Sequence, residues 1–283
     1  MFDWEDLRFF SSFAAAGSLA AASRSLSVDH VTVARRISSL EKSLNLKLVD
    51  RRQRSYSLTE SGRRVAEMAA RITESAFAIE RLAEVEQDAV EGEVIVTAPP
   101  AFVGTLIAPY VGKLNQSFPK LRLRLLATKE VKSLSRREAD IAITLTRPHE
   151  QTSVIKRLGQ LRFALCASAS YLASTDDHVF IAYDESVEDT PQHSWLRKHV
   201  NGRPSVFFSN DLRIHAIAAA GGAGVALLPD YLANEYGLIP VSPGGTALTQ
   251  DIWLSVHEDV RHTRRIGAVL DFLTACIEPA YRL

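Results

Sequence analysis

The chemistry that stands out in this sequence belongs to five arginines and two hydrogen-bonding neighbours. His30, Thr32, Arg35 and Arg36 lie close together, and Arg51, Arg52 and Arg54 follow a short way on. A guanidinium is a fixed fork of donors, suited to phosphate oxygens and to the O6/N7 edge of guanine. Between residues 24 and 64 there are ten Lys or Arg against four Asp or Glu, a net +6, whereas the whole chain has 33 of each. A basic excess confined to one stretch of a neutral chain is the footprint of a phosphate-binding surface.

Catalytic and metal chemistry finds less support. His257-Glu258 and His262 are spaced one residue too widely for a helical zinc pair. Gly221, Gly222 and Gly224 fit neither a dinucleotide nor a nucleotide motif and follow a helical pattern, so they read as a turn into a buried strand. Cys166 lies in the apolar run RFALCAS and Cys276 in an apolar helix; both read as buried, inert thiols. There is no nucleophile elbow and no metal-spaced Cys/His cluster. The expectation is a protein that is not an enzyme and needs neither cofactor nor metal.

The elements that must hold the arginines can be read from periodicity. Leu19, Ala22 and Leu26 repeat at helical spacing, the pattern breaks at Ser27-Val28, and Val31, Ala34, Ile37 and Leu40 repeat again. Asp29 stands where it can cap the second helix. The apolar positions are expected to bury, leaving His30, Thr32, Arg35 and Arg36 outward. Two short helices about a tight turn make a helix-turn-helix, whose second helix fits the DNA major groove. A helix over 3–16, with Leu7, Phe10 and Phe13 on one face, would pack beneath. Two extended segments around the basic tip at 51–54 would form a wing that ends at Thr59.

A long helix is expected from about 60 to 90. Val65, Ala69, Ile72, Ala76, Ile79, Ala83 and Val90 follow spacings of four and three, interrupted at Glu86. That is a heptad seam, which points to pairing with a second copy. Beyond Gly92 strands alternate with helices: strands at 94–98, 121–127 and 139–145, then strands at RFALCA, VFIAY, SVFFS and IWLSVH, with a closing helix over 262–277. The alternation argues a mostly parallel sheet. A short helix is expected near Leu134. Ligands of such sheets bind at strand C-termini near helix N-termini. The candidates there are Pro99, Pro100 and Ala101; Thr128; Thr144 and Thr146; and Phe208, Ser209 and Asn210.

The run from Leu7 to Gly62 resembles the N-terminal unit of LysR-type transcriptional regulators. The resemblance is carried by Ala21-Ala22, Leu26, Ile37, Leu40-Glu41, Leu44, Leu48, Arg51, Leu58-Thr59 and Gly62. It departs at Asp29-His30, where the family has Ser or Thr then Gln, at Ala34 for Ser, and at Val49 for Phe. The resemblance implies an α/β chain: a winged helix-turn-helix over 1–60, a linker helix over 61–91, and a regulatory domain over 92–283 similar to periplasmic binding proteins. Lobe one would be 92–161 with 262–283, and lobe two 162–261. The expected DNA contacts are Ser18, His30, Thr32, Arg35, Arg36, Arg51, Arg52 and Arg54. The expected partners are double-stranded DNA, a small organic effector bound between the lobes, and further copies of the chain as a homodimer building to a homotetramer. Many relatives bind a carboxylate through hydroxyls at the first strand–helix turn. Pro99-Pro100-Ala101 has none, which points to a less acidic or more apolar effector. No apolar run approaches the roughly 20 residues of a membrane span. The N-terminus lacks a signal-peptide pattern, so the expected location is the cytoplasm. The alternatives are a regulator that needs no effector, or a solute-binding carrier.

Overall fold

The computed structural model describes residues 1–50, 56–85, 90–128, 134, 138–148, 153–187, 190–200, 202–242 and 244–281. The chain divides into two units, Met1–Ala83 and Glu84–Leu283.

The first unit opens with α1 (Trp4–Ala16), α2 (Leu19–Leu26) and α3 (His30–Leu44). Local chemistry sets each boundary. Asp3, Ser18 and Asp29 accept from Glu5 N, Ala21 N and Thr32 N, satisfying donors that a helix start leaves unpaired. Gly17, Ser27 and Asn45 end the helices in the left-handed conformation, at φ 70°, 54° and 51°. β1 (Val49–Asp50) and β2 (Ser57–Leu58) pair antiparallel as the base of the wing. The tip, with Arg51, Arg52 and Arg54, lies outside the described residues. α4 (Glu60–Val85) starts at a cap: the Thr59 hydroxyl accepts from Gly62 N and donates to Lys47 O. A Cβ at Gly62 would lie 2.0 Å from Leu48 O, so only glycine lets this helix start so close to the wing. The core joins Phe10 and Phe13, Ala22, Val33, Ile37 and Leu40, Leu48 and Val49, and Ala69.

The buried stripe of α3 differs from the expected one. Val33, Ile37, Leu40 and Glu41 face the core, whereas Val31 is 64% exposed and Ala34 only half-buried. Val31 lies about 200° around the helix from Val33, so both cannot face inward. The seam of α4 is also divided: Ala69 is buried and Val65 packs on the core, while Ile72 and Ala76 are exposed and Ile79 is 72% exposed. The helix is described to Val85; the expected continuation through Glu86 lies outside the described residues.

In the second unit β3 (Gly92–Ala98) leads into a broken helical run. α5 (Pro100–Phe102) passes through a π turn at Val103–Ile107 and a 3-10 turn at Ala108–Tyr110 into α6 (Val111–Ser117). Pro109 carries no N–H for the Thr105 carbonyl, so regular α-helical bonding is interrupted there. Then come β4 (Leu121–Ala127), β5 (Ile141–Thr144), β6 (Ser153–Ala167), α7 (Ala169–Ser174), β7 (Phe180–Tyr183), α8 (Pro191–His199), β8 (Ser205–Ser209), α9 (Leu212–Ala220), β9 (Val225–Pro229), α10 (Asp230–Glu235), β10 (Ile239–Pro240), β11 (Leu248–His257) and α11 (Arg264–Tyr281). Leu134 is buried with Ala139 and Ala142; the rest of the helix expected there lies outside the described residues.

The sheet order is β4-β3-β5-β11-β6-β9-β7-β8. Parallel pairing holds only in the two arms, β4-β3-β5 and β9-β7-β8; the β5-β11, β11-β6 and β6-β9 pairs are antiparallel. The expected start of a second lobe at Arg162 therefore falls inside one strand. β6 runs through both arms, with its first half facing the β5 side and its second half pairing β9, and β11 runs back beside it. Their register shifts between Ile252 and Trp253, opposite Gly159 and Arg157. A Cβ at Gly159 would lie 2.0 Å from Tyr281 O, so α11 closes on the strand where the two arms meet. α11 is not confined to lobe one: the Tyr281 hydroxyl donates to Asp230 Oδ1 at 2.9 Å, on the β9 side. Gly222 (φ 82°) and Gly224 (φ 148°) make the turn from α9 into the fully buried β9, as read from the sequence.

Candidate functional site

The first candidate surface is the start of α3. His30, Val31 and Arg35 are exposed there. Thr32 is half-buried and its hydroxyl donates to Asp29 Oδ2 at 3.0 Å, while Asp29 Oδ1 accepts from Thr32 N at 2.7 Å. Those two bonds hold the Asp29 carboxyl below its usual range. A fixed negative charge therefore stands at the head of α3. Ser18 is exposed and caps α2.

Arg36 does not face outward. Its Nη1 donates to Asp6 Oδ1 at 3.0 Å and to Asp3 Oδ2 at 3.3 Å, and its guanidinium lies 5.7 Å from the Phe9 ring centroid. Asp6 is buried, so Arg36 satisfies a carboxylate that α1 brings into the interior. Sequence reasoning counted it with Arg35 because adjacent arginines look alike until the buried stripe is known. Val31 is the position that the same reading missed.

The second candidate is a cleft of about 940 Å³ between the two arms of the sheet. Pro99, Pro100, Ala101, Thr128, Thr144, Thr146 and Asn210 all line it, so distant turns meet as the topology requires. Phe208 and Ser209 do not line it. Phe208 is 59% exposed on β8, and Ser209 Oγ accepts from Asp211 N at 3.2 Å, a local turn bond. The sequence did not reveal Tyr183 and Tyr231, whose rings bound the cleft, nor Gln192 and Gln250. These two carboxamides come from α8 and β11, each 7% exposed, and Gln192 Nε2 donates to Gln250 Oε1. Burial and, secondarily, the nearby Tyr231 push the Tyr183 hydroxyl far above its usual range; it donates to Leu227 O at 3.2 Å.

Beside the cleft the two arms are clasped. Thr105 of the π turn donates its hydroxyl to Glu235 Oε2 and accepts from Arg213 Nη2 at 2.8 Å. Arg213 Nη1 donates to Glu235 Oε1 at 2.7 Å and to the Tyr236 hydroxyl at 3.2 Å. A Cβ at Gly104 would lie 2.8 Å from Arg213 Nη2, so glycine lets the guanidinium in. Arg213 follows the cleft residues Asp211 and Leu212 directly, which ties the clasp to the cleft wall.

The remaining sequence candidates are structural. His257 is buried, its Nδ1 accepting from Asp259 N at 3.3 Å, and His262 Nε2 accepts from Arg261 Nε at 2.8 Å. Cys166 is buried and Cys276 half-buried, and burial lifts both thiols to about 11. Among the described residues no three His, Cys, Asp or Glu are grouped to hold a metal, and no helix is long and apolar enough to cross a membrane.

Known proteins share both parts of this architecture. The family model for the bacterial regulatory helix-turn-helix protein, lysR family, matches residues 4–63, and that for the LysR substrate binding domain matches residues 87–276. The Mau operon transcriptional activator of Paracoccus denitrificans is 28% identical over 82% of this chain and 81% of its own length. The regulator CrgA of Neisseria meningitidis is 26% identical over 95% of each chain. The solved structure of CrgA matches with a TM-score of 0.57 at 25% identity, covering 97% of this chain and 99% of that one. The full-length virulence activator AphB of Vibrio cholerae matches with a TM-score of 0.62 at 20% identity over 97% and 99%, a likeness of fold.

Proposed function

The chain belongs to the LysR family of DNA-binding transcriptional regulators, and we propose that this member reads duplex DNA with the first turns of α3 and is controlled by a small organic molecule held between the two arms of its regulatory sheet. The observation that supports the DNA assignment is the exposed group His30, Val31 and Arg35 at the head of α3. Arg35 supplies the bidentate donor for a guanine edge, and Val31 an apolar contact for a thymine methyl. Arg51, Arg52 and Arg54 would hold phosphates. Ser18 acts as the cap of α2, Thr32 by donating to the Asp29 cap of α3, and Arg36 by fixing α3 on α1. The proposed division is a winged helix-turn-helix over 1–60, a linker helix over 61–91 and a regulatory domain over 92–283, in a cytoplasmic protein without enzymatic activity.

The exposed half of the α4 seam, Ile72, Ala76 and Ile79, is the proposed pairing face of a homodimer, which builds to a homotetramer. A ligand that touches both walls of the cleft favours one separation of the arms over another. It acts on DNA by changing how the subunits are arranged, with a coupling of about 1–3 kcal/mol. Footprinting on a selected duplex, with and without a ligand identified by thermal shift, tests this reading. The expected result is a changed footprint length. A ligand that binds and leaves both footprint and affinity untouched would favour a regulator that needs no effector.

A further inference from the structure

We infer that the cleft selects an uncharged molecule with a carboxamide-type edge, an N–H donor beside a C=O acceptor, on a largely apolar body; this rests on the proposed reading of the cleft as the effector site. The helix starts of α5, α8 and α9 at the cleft are poor in N–H groups for an anion. α5 begins at Pro100 and α8 at Pro191, which carry no N–H. Thr190 closes α8 further, its Oγ1 accepting from His193 N at 3.3 Å. At α9 the place of an anion is taken by the chain itself: Asp211 Oδ1 accepts from Arg213 N at 2.8 Å and from Ile214 N at 3.3 Å.

The charges lining the cleft act the same way. Its carboxylates are Glu185 and Asp211, and among the described residues its lone cation is Arg147, held 5.5 Å from the Trp253 ring centroid. A carboxylate ligand would meet two like charges, Glu185 and Asp211, against the one guanidinium of Arg147. The polar edge that is present is neutral. The Gln192–Gln250 hydrogen bond uses the Gln192 amino group and the Gln250 oxygen, which leaves the Gln192 oxygen as an acceptor and the Gln250 amino group as a donor for a ligand. A planar amide, lactam or imide presents the complementary pair in one plane. Pro99, Ile143, Leu145, Val187 and Leu212 supply apolar wall, and Tyr183 and Tyr231 beside them suit a flat body.

The test uses the full chain with benzamide and benzoate, which share a shape and differ in charge, read by ligand-observed NMR titration. A probe of this size is expected to bind with a Kd of about 10 mM or tighter. Benzamide should bind at least about tenfold more tightly than benzoate, and Gln192→Leu and Gln250→Leu should reduce that ratio to about threefold or less, with circular dichroism melts showing folded protein. Ser186→Trp, which fills the cleft from its rim, should abolish benzamide binding. Benzoate binding as tightly as benzamide, or no saturable binding of benzamide to folded protein, would overturn the ligand class. Benzamide binding undiminished by Ser186→Trp would instead overturn the cleft as the site.

Discussion

The carboxylate of Glu41 on α3 accepts the backbone N–H of Leu48 at 2.9 Å, and the same oxygen accepts from Val49 N at 3.1 Å. Glu41 is buried. The last turns of the recognition helix are thereby fixed to the first strand of the wing, so the two parts proposed to touch DNA move together. Glu41→Ala would leave two buried donors unpaired. The expected loss is about 2–4 kcal/mol of stability in this unit. Denaturant unfolding and faster hydrogen exchange at the Leu48 and Val49 amides check it; an unchanged melt would remove this role.

Asp29 is a cap whose charge opposes the surface it serves. Asp29→Ser keeps an acceptor for Thr32 N and removes the negative charge. DNA binding is expected to tighten at every salt concentration, with little change in stability. Anisotropy titrations over a salt series measure this, and weaker binding by the variant would mean that the carboxylate itself makes a favourable contact.

Much of the first unit was legible because its signals are local. Ser18, Asp29 and Thr59 each lie three residues from the backbone N–H that they cap. Val31 was misassigned because 31, 34, 37 and 40 make as good an apolar repeat as 33, 37 and 40, and only packing chooses between them. The second unit was legible as alternating elements but not as connections. β6 carries Lys156, Arg157 and Gly159 through its middle, which look like a loop. Gln192 and Gln250 meet only because β11 returns antiparallel beside β6, a pairing that no local pattern encodes. Ser209 is near the cleft in sequence, but Asp211 turns its hydroxyl into a loop bond.

The exposed seam of α4 predicts an assembly defect. Ile72→Asp with Ile79→Asp would place charge in a dry interface, costing roughly several kcal/mol per buried unpaired ion. Sedimentation velocity should show a smaller species, with an unchanged circular dichroism spectrum. A mass equal to that of the parent would exclude this helix as the pairing face.

The two thiols predict a pH profile. Burial raises both to about 11, so each holds its proton in the folded chain through neutral pH. At pH 8 the thiolate fraction is about 0.1%, roughly a hundredfold below that of an ordinary exposed cysteine. Alkylation should be correspondingly slow and should rise about tenfold per pH unit up to pH 11 while the chain stays folded. Rapid labelling of Cys276 at pH 7 would show a thiol made reactive by something that burial alone does not explain.

The central claim is that α3 reads base sequence through Arg35 while Arg36 serves the fold. Selection from a random duplex pool, followed by anisotropy on the enriched site, tests it with Arg35→Ala and Arg36→Ala side by side. Arg35→Ala should keep the parental melt and lose about 1–3 kcal/mol of binding, concentrated at one base position. Arg36→Ala should lower the melting temperature, freeing the buried Asp6, and leave the selected sequence unchanged. If folded Arg35→Ala enriched the same sequence with the same affinity, the assignment of α3 as the reading helix through this residue would be contradicted.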